Sequence, residues 1–200
     1  MLTSINKNYY FNKIRSKFES YSKISNNSWD LLTELFSFKT LKSNEVILRN
    51  GKVAKNIYFV CKGALIAYYT DSNGNSYTKN IFLESDFAGS TVSYLLNKPS
   101  KFTLESLEET ILISINYSAY RTLINSNDDL QKFYIAYLER NWVIDKEERE
   151  VSIVMENAKE RYLKLLEKQP KINSRIQQQH IASHLGVTPT QLSRIKKSLK

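Results

Sequence analysis

The hydrophobic pattern changes period several times along this chain. Between residues 8 and 38 apolar positions recur at helical spacing, most clearly in SWDLLTELFSF. There Leu31, Leu32, Leu35 and Phe36 share a face, and Ser28 is placed to cap the helix. From about residue 44 to 115 the runs shorten and become β-branched and aromatic: EVILRNG, NIYFVCKGALIAYYTD, SYTKNIFLESDFAG, SKFTLESLEE and TILISINY read as strands separated by turns. Asn73-Gly74, inside DSNGNS, marks a hairpin between two of them. Several short strands at close spacing predict a β-sandwich or barrel-like roll.

Helical spacing returns over residues 116–130 and continues from about Asp128 to Met155, with no Pro or Gly to interrupt it. Leu130, Phe133, Tyr134, Tyr137, Leu138, Asn141, Ile144, Val151 and Val154 form a seam at intervals of three and four. A helix of that length outruns one small roll, so the seam is expected to meet a second copy of the chain. A shorter amphipathic helix follows over 157–168 (NAKERYLKLLEK), stopped by Pro170, and a final helix pair closes the chain.

Charge changes the picture only at that end. Residues 159–200 carry ten Lys and Arg against Glu160 and Glu167, a net of +8, whereas residues 1–158 carry a net of only +1. Confinement of the excess to the last fifth of the chain favours a polyanion-binding surface over a merely solubilising one. The apolar fraction of 42% is enough to build cores. Cys61 stands alone, which excludes an internal disulfide and a Cys-rich zinc site and suits a reducing cytoplasm. No apolar run is long enough to span a bilayer, and the first twenty residues hold no signal-peptide core. A cytoplasmic protein without membrane contact is expected.

The basic end also carries the most specific motif, HIASHLGVTPTQLSRIKKSL. Counted from Gln178, Ile181, Leu185, Val187, Leu192 and Ile195 fall where a helix-turn-helix needs its small core. Ala182 stands where the helices cross, and Gly186 where the turn needs left-handed backbone. Thr188 is placed as N-cap and Pro189 as first residue of the second helix. That helix would enter the major groove. Thr188, Pro189, Thr190, Gln191 and Ser193 are then nearest the base edges, with Gln191 able to read adenine and Arg194 guanine or a phosphate; Lys196, Lys197 and Lys200 are left for phosphates.

These residues resemble the Crp/Fnr family of bacterial transcription regulators, from about residue 30 to the end. TPTQLSRIKK is similar to the recognition helix of a branch with a Thr-Pro opening, although Thr190 stands where that branch often carries Glu. NIYFVCKGALIAYY, with Gly63 at its turn, is similar to a strand pair of the family's sensory roll, and ESDFAGSTVSYLLNKPSKFTLESLEETILISI to its effector cassette. The resemblance implies an α+β protein: an N-terminal double-stranded β-helix or jelly-roll of cyclic-nucleotide-binding type with preceding helices over 1–127, a dimerisation helix over 128–156, and a helix-turn-helix DNA-binding domain over 157–200. It implies an effector pocket at Gly89, Ser90, Thr91, Ser100, Lys101 and Lys146. Ser90 replaces the cassette's Glu and Ser100 its Arg, and a phosphate deprived of that Arg loses roughly 1.5–3 kcal/mol. Cyclic AMP is therefore not the expected ligand; the effector is left open and no cofactor or metal is expected. His180 and His184 lie inside the helix-turn-helix, where a surface or DNA-facing role is expected rather than ligation.

The partners expected are a near-palindromic duplex DNA operator, a second copy of the chain, RNA polymerase and a small-molecule effector. The alternative is a small-molecule sensor acting mainly through protein or RNA. No phosphate loop, nucleophile elbow or metal-ligand spacing points to an enzyme.

Overall fold

Strand β8 (Thr110–Asn116) shows why the middle of this chain folds as it does. Leu112 points into the space between two sheets, while Ile113 and Ile115 point outward under a layer of helices, so both faces are covered and apolar residues fall on both. The computed structural model describes residues 6–199. Within it, β1 (Phe36–Leu41), β8, β3 (Asn56–Lys62) and β6 (Phe87–Ala88) form one antiparallel sheet in that order. The second sheet runs β2 (Val46–Leu48), β7 (Thr103–Ser106), β4 (Leu65–Thr70) and β5 (Ser76–Phe82). Leu41, Tyr58, Val60, Leu65, Ala88 and Leu112 fill part of the roll between them. The β4–β5 hairpin closes where the sequence placed it, with Gly74 at φ +85° and the Asp71 N–H donating to the Asn75 carbonyl at 3.0 Å.

Two local expectations need correction. The first helical stretch is two helices, α1 (Lys7–Glu19) and α2 (Asn26–Glu34), and residues 36–38 belong to β1. Phe36-Ser37-Phe38 alternates with period two, and pairing of Phe36 with Ile115 and Phe38 with Ile113 overrides the helical reading. The cap of α2 is Ser25, whose side chain accepts from the Ser28 N–H at 3.1 Å. Ser28 is buried instead and donates to Asp129 at 2.7 Å, tying α2 to a distant helix.

That helix is α5 (Asp128–Leu138), which follows the short α3 (Thr91–Leu96) and α4 (Tyr117–Asn125). It continues without a break through a π-helical turn over Glu139–Ile144 into α6 (Asp145–Met155). The single seam read from the sequence divides at this turn. Leu130 and Phe133 are buried in the chain's own core, Phe133 stacked on Phe18 at 4.3 Å, with Tyr134 and Tyr137 packed beside them. Within the turn Trp142, Val143 and Ile144, and beyond it Val151 and Val154, are exposed, Val154 by 80%. A π turn holds one residue more than an α turn and so rotates the following face out of register with the preceding one.

The C-terminal helices are α7 (Ala158–Lys168), α8 (Ile172–Arg175), α9 (Gln178–His184) and α10 (Pro189–Lys197). Their core of Tyr162, Ile172, Ile176, Ile181, Ala182, Leu185 and Leu192 is continuous with Ala64 and Leu83 of the roll. Arg175 fastens the contact: its guanidinium donates to both Glu84 oxygens at 2.8 and 2.9 Å and also reaches Glu108. Burial works against the Glu84 carboxylate, but Arg175 and the Gly63 N–H hold its pKa below the usual value.

Candidate functional site

Every constrained position of the terminal helix pair takes the predicted place. Ile181, Ala182 and Leu192 are fully buried, Leu185 nearly so, and Val187 and Ile195 pack against them. Gly186 turns the chain at φ +71°. Thr188 caps α10 by accepting from the Gln191 N–H at 3.1 Å, and Pro189 opens the helix. The two helices are further tied by Gln178 Nε2 donating to the Pro189 carbonyl at 2.8 Å.

On α10 the exposed positions are Thr188, Pro189, Thr190, Gln191, Arg194 and Lys197, with Ser193 at the edge of that face. Arg194 makes no ion pair among the described residues. Two side chains depart from the expected arrangement. The carboxamide of Gln191 turns back, its Oε1 accepting from the Thr188 N–H at 2.9 Å, so its acceptor serves the helix cap rather than facing outward to adenine. Lys196 lies half-buried with Nζ 5.9 Å from the centre of the Tyr162 ring, and burial lowers its pKa; it braces α10 on α7. Lys200 lies outside the described residues.

The two histidines do not face outward. His180 and Ser183 border a cleft between α9 and strands β4, β5 and β7, and Ser183 Oγ accepts from the Thr78 N–H at 2.7 Å. His184 has a buried Nδ1 without a hydrogen-bond partner, and burial, reinforced by Arg149, pushes its pKa down to about 4. The neutral imidazole is thus the form that docks. Unfolded or undocked, His184 takes up a proton near pH 6.5, so stability is full above that pH and falls as pH drops toward 4. The loss approaches ~3 kcal/mol at the acid end. Melting curves between pH 7 and 4.5 should show this decline, and His184→Phe should flatten it; an unchanged slope in the variant would refute the assignment.

The six residues expected to form an effector pocket are not all brought together. Ser90 and Ser100 are buried, and the Ser100 hydroxyl is engaged by its own loop, donating to the Phe102 carbonyl at 2.9 Å. Lys101 points to solvent, and Lys146, on α6, pairs with Glu150 at 3.3 Å. With its proton spent on the Phe102 carbonyl, the Ser100 hydroxyl has none left to donate to a ligand. Gly89 and Thr91 line a cavity that opens on the outer side of β6, beneath α4 and α5, and Lys146 lines the groove beside it. The cavity has a volume of about 90 Å³ and walls of Ile57, Phe87, Tyr94, Tyr117, Tyr137 and Trp142. The groove, of about 680 Å³, runs between β5 and α6 and shares Lys79, Phe87, Tyr137 and Trp142 with the cavity. No local pattern signals this cavity, because its rings come from four separate segments.

Residues 38–127 match the family model of the cyclic nucleotide-binding domain. No curated protein matches the chain. Among solved structures the fold is similar to FixK2 of Bradyrhizobium japonicum, with a TM-score of 0.68 and 18% identity over 82% of this chain and 84% of that one. It is similar to the c-di-GMP responsive global regulator CLP of Xanthomonas campestris, at TM-score 0.65 and 15% identity over 88% and 91%. The catabolite activator protein of Thermus thermophilus gives 0.54 and 20% over 90% and 85%. At these identities the likeness establishes the fold: an α+β chain with a β-roll of cyclic-nucleotide-binding type.

Proposed function

We propose that this chain is a homodimeric, sequence-specific DNA-binding regulator of transcription. The exposed second half of the long helix pairs two copies, the roll receives a small-molecule signal, and α10 enters the major groove. The observation that carries this reading is the outer face of α10. A capped helix, held on a small core by α9, presents Thr190, Arg194 and Lys197 together to solvent in the segment that holds nearly all the excess positive charge. Kinship of fold with proteins described as regulators supports it. The reading divides the chain into a sensory unit over 1–127, a dimer helix over 128–156 and a DNA-binding unit over 157–200.

In such a dimer the two recognition helices must sit about 34–36 Å apart to meet successive major grooves, and an inverted repeat is the matching target. Arg194 is assigned to a base edge and Lys197 to a phosphate; Gln191 acts through the cap. Cyclic AMP is not assigned as the signal, since the cassette's Glu and Arg positions are filled by buried serines.

Selection from random duplex DNA tests the proposal. An inverted repeat should be enriched with or without cyclic AMP; failure to enrich any duplex would overturn it in favour of an RNA or protein partner. On the selected site Arg194→Ala should cost about 1–3 kcal/mol and erase the preference over random duplex. Lys197→Ala should weaken both duplexes alike and lower the salt slope by about one. Equal losses on both duplexes for Arg194→Ala would remove Arg194 from base readout.

A further inference from the structure

Helix α3 turns its apolar side chains the wrong way for a surface helix. Val92, Leu95 and Leu96, spaced by three and four, share one face and are 62%, 55% and 58% exposed. Its other side is fastened to the roll. Ser93 is buried, with its Oγ accepting from the Ala54 N–H at 2.9 Å, and the Tyr94 ring stacks on Tyr117 at 4.0 Å. Asn97, left-handed at φ +49°, ends the helix directly after Leu96, and the Lys98 N–H returns to the Ser93 carbonyl at 3.0 Å. Three neighbouring aliphatic side chains on an anchored helix add nothing to the chain's own core, and an exposed cluster of this kind marks a contact surface.

The charge around the cluster has one sign. The segment before β3 runs beside α3 and the turn that follows it: the Ser100 N–H donates to the Lys52 carbonyl and the Gly51 N–H to the Ser100 carbonyl, each at 2.8 Å, and Val53 pairs with Pro99. Residues 46–56 and 87–104 hold Arg49, Lys52, Lys55, Lys98 and Lys101 and no Asp or Glu. All of these cations are exposed, and none forms an ion pair among the described residues. Residues 1–158 are nearly balanced as a whole, at a net of +1, so positive charge is segregated to this surface. A groove of about 330 Å³ lies alongside, with Arg49, Lys52 and Lys55 on its wall.

We propose that α3 and the basic segment beside it form a docking surface for an acidic amphipathic helix of another protein. The apolar residues of that helix cover Val92, Leu95 and Leu96, and its carboxylates meet the surrounding lysines, those on one flank reaching into the groove. Charge complementarity selects this occupant. Nucleic acid would satisfy the lysines but set phosphates against three aliphatic side chains. A bilayer would take up the leucines but lie flat across the groove and leave it unfilled. Exposed ion pairs contribute little each, so the contact is reversible and salt-sensitive. It shares no residue with α10 and is measured without DNA, so its failure leaves the reading of α10 untouched.

The probe is a fluorescent peptide of Leu, Ala and Glu, with leucines at helical spacing along one face and glutamates on its flanks, titrated against the full chain by anisotropy. Saturable binding is expected, weakened by added salt, and at least about tenfold weaker for the same peptide with Lys in place of Glu. Leu95→Ser with Leu96→Ser should lower affinity for the acidic peptide about tenfold or more, and so should Lys52→Glu with Lys98→Glu. The second pair should also reverse the preference between the two peptides. Lys159→Met, on α7, should bind as the wild type does. Every replaced side chain is exposed, so melting temperatures should hold, and Leu95→Lys alone replaces the leucine pair should that variant fail to fold. Absence of saturable binding, equal affinity for the two peptides, or unchanged affinity in both double variants would overturn the proposal. Tighter binding to phosphatidylglycerol vesicles, abolished in the leucine pair, would overturn it in favour of a membrane. Sedimentation of the leucine pair as a monomer where the wild type is a dimer would give the surface to a second copy of the chain instead.

Discussion

Gly63→Ala is expected to lower the melting temperature by roughly 10 °C, a loss of about 3–4 kcal/mol for a chain of this size. Gly63 ends β3 at φ +100°, a conformation costly for any residue with a side chain. A Cβ there would lie 2.4 Å from Thr110 Oγ1, 2.8 Å from the Glu109 carbonyl oxygen and 2.8 Å from Thr110 Cα. Two of those three atoms are backbone and cannot swing aside. Thr110 is fully buried, and its hydroxyl is committed to the Glu108 carbonyl at 2.8 Å, so yielding would break a satisfied group. The Gly63 N–H also supports Glu84, which holds Arg175, so the damage should extend to the docking of the C-terminal helices. Gly74→Ala is the control, because Gly74 has a similar φ of +85° but nothing within 4 Å of an added Cβ. It should cost only about 1–2 kcal/mol. Equal melting shifts for the two variants would refute the steric account.

Placing aspartate at both Val151 and Val154 is expected to convert a dimer into a monomer, and to reduce affinity for the selected inverted repeat by at least about a hundredfold. These side chains are 54% and 80% exposed in the isolated chain, so the substitutions remove no internal packing and the melting temperature of the roll should hold. Across a two-fold axis each substitution occurs twice, bringing four carboxylates into one apolar contact. Desolvating an unpaired charge there costs several kcal/mol. Each freed half would then bind its half-site alone, without the effective concentration its partner supplied. Sedimentation velocity reads the first effect and titration of the operator the second. A wild-type chain that sediments as a monomer, or a double variant that remains dimeric, would remove the exposed half of this helix from the interface.

These three positions also mark how far the sequence reached. Gly63 was visible as a turn glycine, but that its Cβ would strike Thr110 depends on strands that bring together residues 47 positions apart in the chain. Val151 and Val154 were visible as seam residues, yet the sequence assigned the same role to Leu130 and Phe133, which the chain buries in its own core. One helical period describes both halves. The π turn at Glu139–Ile144 and the fit of Phe133 against Phe18 decide which half is used at home.

What the sequence determined by itself was whatever depends on near neighbours. It set the strand alternation, the Asn73-Gly74 hairpin, the Thr188–Pro189 helix start, the Gly186 turn and the apolar positions of the last helix pair, because turn, cap and period are written within a few residues. Tertiary structure decided everything that required distant segments to meet. It drew Phe36 into a sheet, turned Lys196 inward, buried Ser90 and Ser100, and set His184 against the roll. It also placed Lys79 beside Arg149. Partners seventy residues apart, such as the Arg149 guanidinium and the Lys79 carbonyl, are chosen by packing and by the need to satisfy buried polar groups, and no local pattern encodes that choice.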